Sequence, residues 1–293
     1  MTTAPRPRVV LVDGIPMSGL VAQVADPLAV IVAVHGGATS AAYFDCPGHP
    51  ELSLLRAAAA SGFTAIALDR PGYGTSAVYA GEFADPARRV AVTSDAVDKV
   101  LAGSARGAGV LLLGHSAGCE LALRLATTRD DVIGVELSGT GLRYSDSAKD
   151  IIASATITNR PAGLRDLLWE PSRLYPAEVL TGALSAQGVA YEGEVTANWS
   201  RRDFPAIAAD VRVPVQFSIA EHEKVWQTGP QAVSAISGLF AVSPHVRVNE
   251  MPDSGHNLSV GLTAGDYHRK VLSFTEKCIA DTQGRERKQV EAS

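Results

Sequence analysis

VLLLGHSAGCELALRLA, residues 110–126, runs from the apolar segment VLLL through a single serine into a second apolar segment. A β-type run meeting a helix-type run at GHSAG (114–118) describes a strand that turns sharply into a helix, with Ser116 at the bend. Side chains at 114 and 118 would clash in so tight a turn, and both positions are glycine. A helix beginning at Ala117 aims backbone N–H groups and its positive dipole end at any negative charge forming beside Ser116 Oγ. G-x-S-x-G is short enough to arise by chance, so its surroundings decide its meaning.

Those surroundings repeat the same alternation. Apolar, β-branched runs recur at RVVLV (8–12), LAVIVAV (28–34), FTAIALD (63–69), GVLLLG (109–114), DVIGVELS (131–138), VPVQFSI (213–219) and HVRVNEM (245–251). Most are short and continuous, as expected for strands buried on both faces. Helical spacing fills 52–61, 88–101, 117–127, 230–240 and 262–279. Strands alternating with helices predict an α/β fold around a mostly parallel central sheet flanked by helices. Residues 141–205 break the rhythm, with proline-punctuated helical pieces and six of the chain's 17 aromatic residues. They are expected to form a helical lid over the sheet end where α/β proteins bind ligands. The α/β core is then 1–140 and 206–280, and the polar 281–293 reads as a flexible, frayed tail.

A serine nucleophile needs a base and an acid that orients it. Seven histidines are available, and His256 in MPDSGHNL stands out because it follows the last strand in a glycine-containing loop. His115 is expected to point away, and His35 to orient its own turn. The acid is expected from SIAEHEKVW (218–226), where Glu223 leads and Glu221 is the alternate. VHGGA (34–38) follows a strongly apolar strand, and the N–H of Gly37 or Ala38 can join that of Ala117 as an oxyanion hole. The order Ser116, Glu223, His256 is the Ser, acid, His order of one large fold family.

With these residues in place the chain resembles the α/β-hydrolase superfamily over nearly its whole length apart from the lid and tail. LDRPGYGTS (68–76) resembles that family's D-x-x-G-x-G loop, VPVQFSIAEHE its acid strand and DSGHN its histidine loop. The resemblance implies Glu223 where many members carry aspartate. Some members place the acid after the sixth strand; here that site reads LSGTG, with no carboxylate, which leaves Glu136 as a further alternate acid. Glu136, two residues earlier, reads as a strand residue satisfied by local partners. Asp69 and Arg70 are read as turn-forming and ion-pairing, Cys119 as core, and Glu120 with Arg124 as an i,i+4 bridge. Tyr73, Trp169 and Trp199 are expected to line the substrate pocket.

A net charge of −5, from 26 basic and 31 acidic residues without blocks, gives no footprint for nucleic acid or an anionic membrane. Small-molecule substrates are expected instead, with no metal or organic cofactor. Three widely spaced cysteines without CxxC, and no secretory h-region, suggest a cytoplasmic setting; the oligomeric state is open. The expected activity is hydrolysis of a carboxylic ester or thioester of a small to medium apolar molecule through a Ser-His-Glu triad. Two alternatives share the site: a lyase that eliminates a carboxylate such as acetate from an acylated natural-product intermediate, and a non-catalytic small-molecule receptor.

Overall fold

The computed structural model describes residues 4–291. Among the described residues eight strands form one sheet: β1 (Arg6–Val12), β2 (Ile15–Ala22), β3 (Val30–Val34), β4 (Thr64–Leu68), β5 (Val110–His115), β6 (Val132–Ser138), β7 (Val215–His222) and β8 (Val246–Gly255), in spatial order β1-β2-β4-β3-β5-β6-β7-β8. From β4 to β8 every pairing is parallel, while β2 runs antiparallel to both β1 and β4. The helices of the core are α1 (Leu54–Ala60), α2 (Pro86–Val100), α3 (Gly118–Thr128), α8 (Pro230–Ser237) and α9 (Ala264–Glu291). Between β6 and β7 lie α4 (Lys149–Ser154), α5 (Leu164–Trp169), α6 (Tyr191–Asn198) and α7 (Phe204–Ala208), and no strand falls within 141–205. No described helix is long and apolar enough to cross a membrane.

The sheet separates two hydrophobic layers, and strand periodicity assigns residues to them. Along β3, Val30, Val32 and Val34 pack into the layer that contains Val92 of α2 and Leu121 of α3, whereas Ile31 and Ala33 join Leu54 of α1 and Phe274 of α9. β3 to β7 are buried through nearly their whole length, which is why their sequences read as unbroken apolar runs. β1 is different. Its residues are mostly exposed, and Arg6 and Arg8 charge this sheet edge against pairing with another chain.

Two elements were not read from the sequence. Strand β2 escapes a search for continuous apolar runs, because IPMSGLVA buries alternate residues and carries Pro16, Ser18 and Gly19. Its signal is the turn before it: Asp13 (φ 49°) and Gly14 (φ 81°) form a two-residue hairpin loop joining Val12 to Ile15. The second is the extent of α9, whose backbone helix continues through Glu291 into the segment read as a flexible tail; residues 292–293 lie outside the described residues. A polar composition shows only that a helix end has little to bury; Gln, Arg, Glu and Lys are good helix formers without burial.

Candidate active site

Ser116 occupies the turn between β5 and α3 with φ 50°, a left-handed conformation that holds a non-glycine residue only under constraint. Its N–H donates to the Ser138 carbonyl of β6 at 2.8 Å, and its carbonyl accepts from Cys119 N–H at 3.0 Å. The glycines around it follow from contact distances. A Cβ at Gly118 would stand 2.3 Å from the Val34 carbonyl oxygen, and one at Gly114 would stand 2.8 Å from Cys119 Cα. A Cβ at Gly36 would crowd Ser116 Cβ at 3.1 Å.

His256 directly follows β8, and its ring lies between Ser116 and Glu223. Nε2 is 3.3 Å from Ser116 Oγ, while Nδ1 is 3.0 and 2.9 Å from the two Glu223 oxygens. A carboxylate at Nδ1 keeps the proton on that nitrogen, so Nε2 is free to accept from the hydroxyl. Glu223, just past the end of β7, also accepts from Val225 N–H at 2.8 Å, which fixes its longer side chain. Glu221 does something else: it accepts from Asp253 N–H at 2.7 Å, where Asp253 (φ 47°) bends β8 ahead of the histidine.

Glu136 is fully buried in β6, and among the described residues neither of its carboxyl oxygens has a hydrogen-bond partner. The local partners expected for it are present as polar neighbours, Ser218, Gln216 and Tyr267, but none makes a hydrogen bond of ordinary geometry with it. Burial pushes this carboxyl up to about 8, with Ser218, Gln216 and Tyr267 pulling the other way. Gln216, its register partner in β7, leaves Oε1 equally unpartnered, so a proton kept on Glu136 has an acceptor beside it. The folded chain thus holds a proton that the unfolded chain releases near 4.5. This group's contribution to stability is complete below that value and is lost as pH rises through about 8. Glu136→Gln is expected to melt above the wild type by a margin that widens between pH 5 and pH 8.5, on the order of a few kcal/mol at the upper end. Parallel melting curves across that range would remove the buried proton from the account.

The N–H groups of Ala117 and Gly37 carry no hydrogen bond to another described residue, and both residues line cavities that contain Ser116. Ala38 is corrected: its N–H donates to Tyr73 Oη at 3.0 Å. The Gly36–Gly37 peptide is anchored through its carbonyl oxygen, which accepts from His35 Nδ1 (2.8 Å), Arg70 Nη2 (3.0 Å) and Thr39 Oγ1 (3.1 Å). Donors on the carbonyl polarise the same peptide's N–H, which belongs to Gly37. His35 Nε2 accepts from Arg70 N–H at 3.0 Å, and burial keeps the imidazole neutral by lowering its pKa well below the usual histidine range. It orients its turn, as expected.

Arg70 forms an ion pair with Glu192 of α6, and Tyr73 Oη donates to the same carboxylate at 2.8 Å. Tyr73, expected to line the substrate pocket, is therefore not among the residues lining the two cavities that contain Ser116. It is 1% exposed and ties the turn at 36–38 to the helical segment above. Asp69 is a turn residue with no partner arginine among the described residues, accepting from Ala41 N–H and Ser18 Oγ at 2.8 and 2.6 Å. Cys119 is core, and Glu120 bridges to Arg124 as well as to buried Arg89 at 3.0 Å. His115 turns away from Ser116: it stacks on Tyr43 and reaches Ser138 Oγ and Asn257 Oδ1, both at 3.2 Å.

Two cavities meet at Ser116 and His256. The inner one, about 110 Å³, is walled by Tyr144, Trp199 and Trp226, whose indole N–H groups are spent on Thr140 Oγ1 (2.7 Å, from Trp199) and the Gly139 carbonyl (2.9 Å, from Trp226). The outer one, about 420 Å³, is lined by the turn at 36–39 and by residues 160–169 and 179–185, Trp169 among them. Trp199 thus lines one of the two cavities that contain Ser116, and Trp169 the other. Trp226, Tyr144 and Asn257 were not expected. Trp226 ends the quoted acid stretch AEHEKVW, so its nearness to the acid was the available signal; Tyr144 stacks on it at 4.3 Å.

The alpha/beta hydrolase family model matches residues 31–267. No curated protein matches the chain by sequence. Solved structures share its fold at low identity. A thermostable carboxyl esterase from Bacillus coagulans is 16% identical with TM-score 0.66, over 95% of this chain and all of that one. A thioesterase domain from the curacin biosynthetic pathway is 15% identical with TM-score 0.61, over 92% and 98%. An N-acyl homoserine lactonase variant complexed with N-hexanoyl homoserine lactone is 14% identical with TM-score 0.68, over 93% and 98%.

Proposed function

The chain belongs to the alpha/beta hydrolase family, whose general activity is hydrolysis, and from that premise we propose that it cleaves a carboxylic ester or thioester of a small to medium, largely apolar molecule through Ser116, His256 and Glu223. The observation that carries this reading is the position of the His256 ring, with Nδ1 on both Glu223 oxygens and Nε2 at 3.3 Å from Ser116 Oγ. In the proposed cycle Oγ attacks the carbonyl carbon as Nε2 takes its proton, and Glu223 stabilises the imidazolium that results. The Ala117 and Gly37 N–H groups meet the oxyanion. Imidazolium then protonates the departing alcohol or thiol. Water, deprotonated by the same nitrogen, attacks the acyl carbon and frees Ser116.

Residues 141–205 act in this reading as the lid whose aromatic residues select the substrate. A p-nitrophenyl ester series of increasing chain length, with product masses recorded, tests it. Ester substrates should give the alcohol and the acid, and Trp199→Ala should shift the optimum toward longer acyl or alcohol groups while acetate hydrolysis changes less. Natural-product acyl esters that yield an alkene, lighter than the alcohol by one water, would move the reading to carboxylate elimination. Uniform losses on every chain length in Trp199→Ala would count against a selective lid.

A further inference from the structure

The two cavities that share Ser116 and His256 differ in charge as well as size. The inner one is aromatic and aliphatic, holds no cation, and its one acidic lining residue, Glu120, is already paired with Arg89 and Arg124. The outer one, about 420 Å³, is lined by two arginines and by no acidic residue. In a chain of net charge −5, a cavity whose charged lining residues are two exposed arginines calls for a ligand that matches them.

The arginines stand at the two ends of RPAGLR (160–165). Arg160 precedes Pro161, which restricts its backbone to extended conformations, and Gly163 (φ 85°) turns the chain into α5, which carries Arg165. Among the described residues Arg160 has no ion-pair partner. Arg165 donates to the Leu180 carbonyl at 3.0 Å, leaving the other guanidinium N–H groups open. Glu170, the acid whose field reaches Arg165, already accepts from Ser172 N–H at 2.8 Å. The rest of the wall combines apolar side chains, Trp169 and Leu164 among them, with the backbone of the 36–39 turn.

We infer that the substrate is bipartite: a compact apolar group enters the inner cavity, and the larger part in the outer cavity carries an anionic group, carboxylate or phosphate, held by Arg160 and Arg165. This rests on the ester or thioester reading and narrows it. Guanidinium groups pair with either anion through charge-assisted, bidentate contacts, so the chemistry they share is what the site recognises.

Three matched pairs of probes test it: mono-p-nitrophenyl glutarate against p-nitrophenyl valerate, 4-carboxyphenyl butyrate against phenyl butyrate, and butyryl-coenzyme A against butyryl N-acetylcysteamine. They place a carboxylate on the acyl side, a carboxylate on the leaving group, and phosphates on the leaving group. The anionic member of at least one pair should show the higher kcat/KM. In the Arg160→Gln, Arg165→Gln double variant that anionic-to-neutral ratio should fall about tenfold, and in the wild type it should fall with added salt. Taking the ratio within each protein removes differences in the folded fraction. The inference is overturned if no pair favours its anionic member, or if the preference survives in the double variant. Ser116→Ala protein, titrated with the same pairs and followed by tryptophan fluorescence, reads the preference without turnover. Anion preference there without ester cleavage by the wild type would overturn the hydrolase reading and leave the subsite standing; cleavage without preference would do the reverse.

Discussion

Ser116→Ala is expected to lower kcat for p-nitrophenyl acetate by on the order of 10⁵- to 10⁶-fold, the range in which removing a triad serine leaves only binding and oxyanion stabilisation. The structure says why this variant is clean. Alanine keeps the Cβ that the left-handed turn at φ 50° already holds, and both backbone hydrogen bonds of residue 116 remain. The lost Oγ takes away one side-chain contact, the 3.3 Å approach to His256 Nε2. Melting temperature should therefore stay close to wild type while turnover vanishes. A rate within tenfold of wild type would remove Ser116 from the chemistry.

Glu223→Gln is expected to lower kcat by about 10⁴-fold with a much smaller change in KM. The amide is nearly isosteric, and its oxygen can keep the Val225 N–H that Glu223 accepts at 2.8 Å. That leaves the NH₂ group facing His256 Nδ1. A donor there, 2.9 Å from Nδ1, competes with the retained oxygen at 3.0 Å and favours the proton on Nε2, the nitrogen that must accept from Ser116, while the carboxylate that would stabilise an imidazolium is gone. Glu221→Gln is the control. Its contact with Asp253 N–H lies at the bend of β8, so kcat should change by less than tenfold while the melting temperature shifts slightly. If the two variants exchange effects, the acid is Glu221.

How much of this was legible in the sequence depends on whether a feature is local. GHSAG, DSGHN and the acid strand are contiguous signals, and each ends at the C-terminal edge of a parallel strand, where the structure brings Ser116, Glu223 and His256 together. The unread parts were non-local or polar. β2 hides its alternation behind Pro16 and Gly19, and the end of α9 looks frayed when helix is inferred from burial alone. Ala38 and Gly37 are indistinguishable as adjacent turn residues. Tyr73, 35 positions away, decides between them by taking the Ala38 N–H. Glu192 gave no signal, because its role comes from Arg70 and Tyr73 reaching it from 122 and 119 positions away. Glu136 could be noticed as a carboxylate within an apolar strand, but that its oxygens go unpartnered depends on the strands and helix packed around it.

The claim that Ser116 is the nucleophile, activated by His256, is tested most directly by peptide mapping after reaction with a fluorophosphonate. The account predicts one adduct, on Oγ of Ser116, that is absent from Ser116→Ala and forms orders of magnitude more slowly in Glu223→Gln. An adduct on any other residue, or labelling of Ser116→Ala at the wild-type rate, would contradict it.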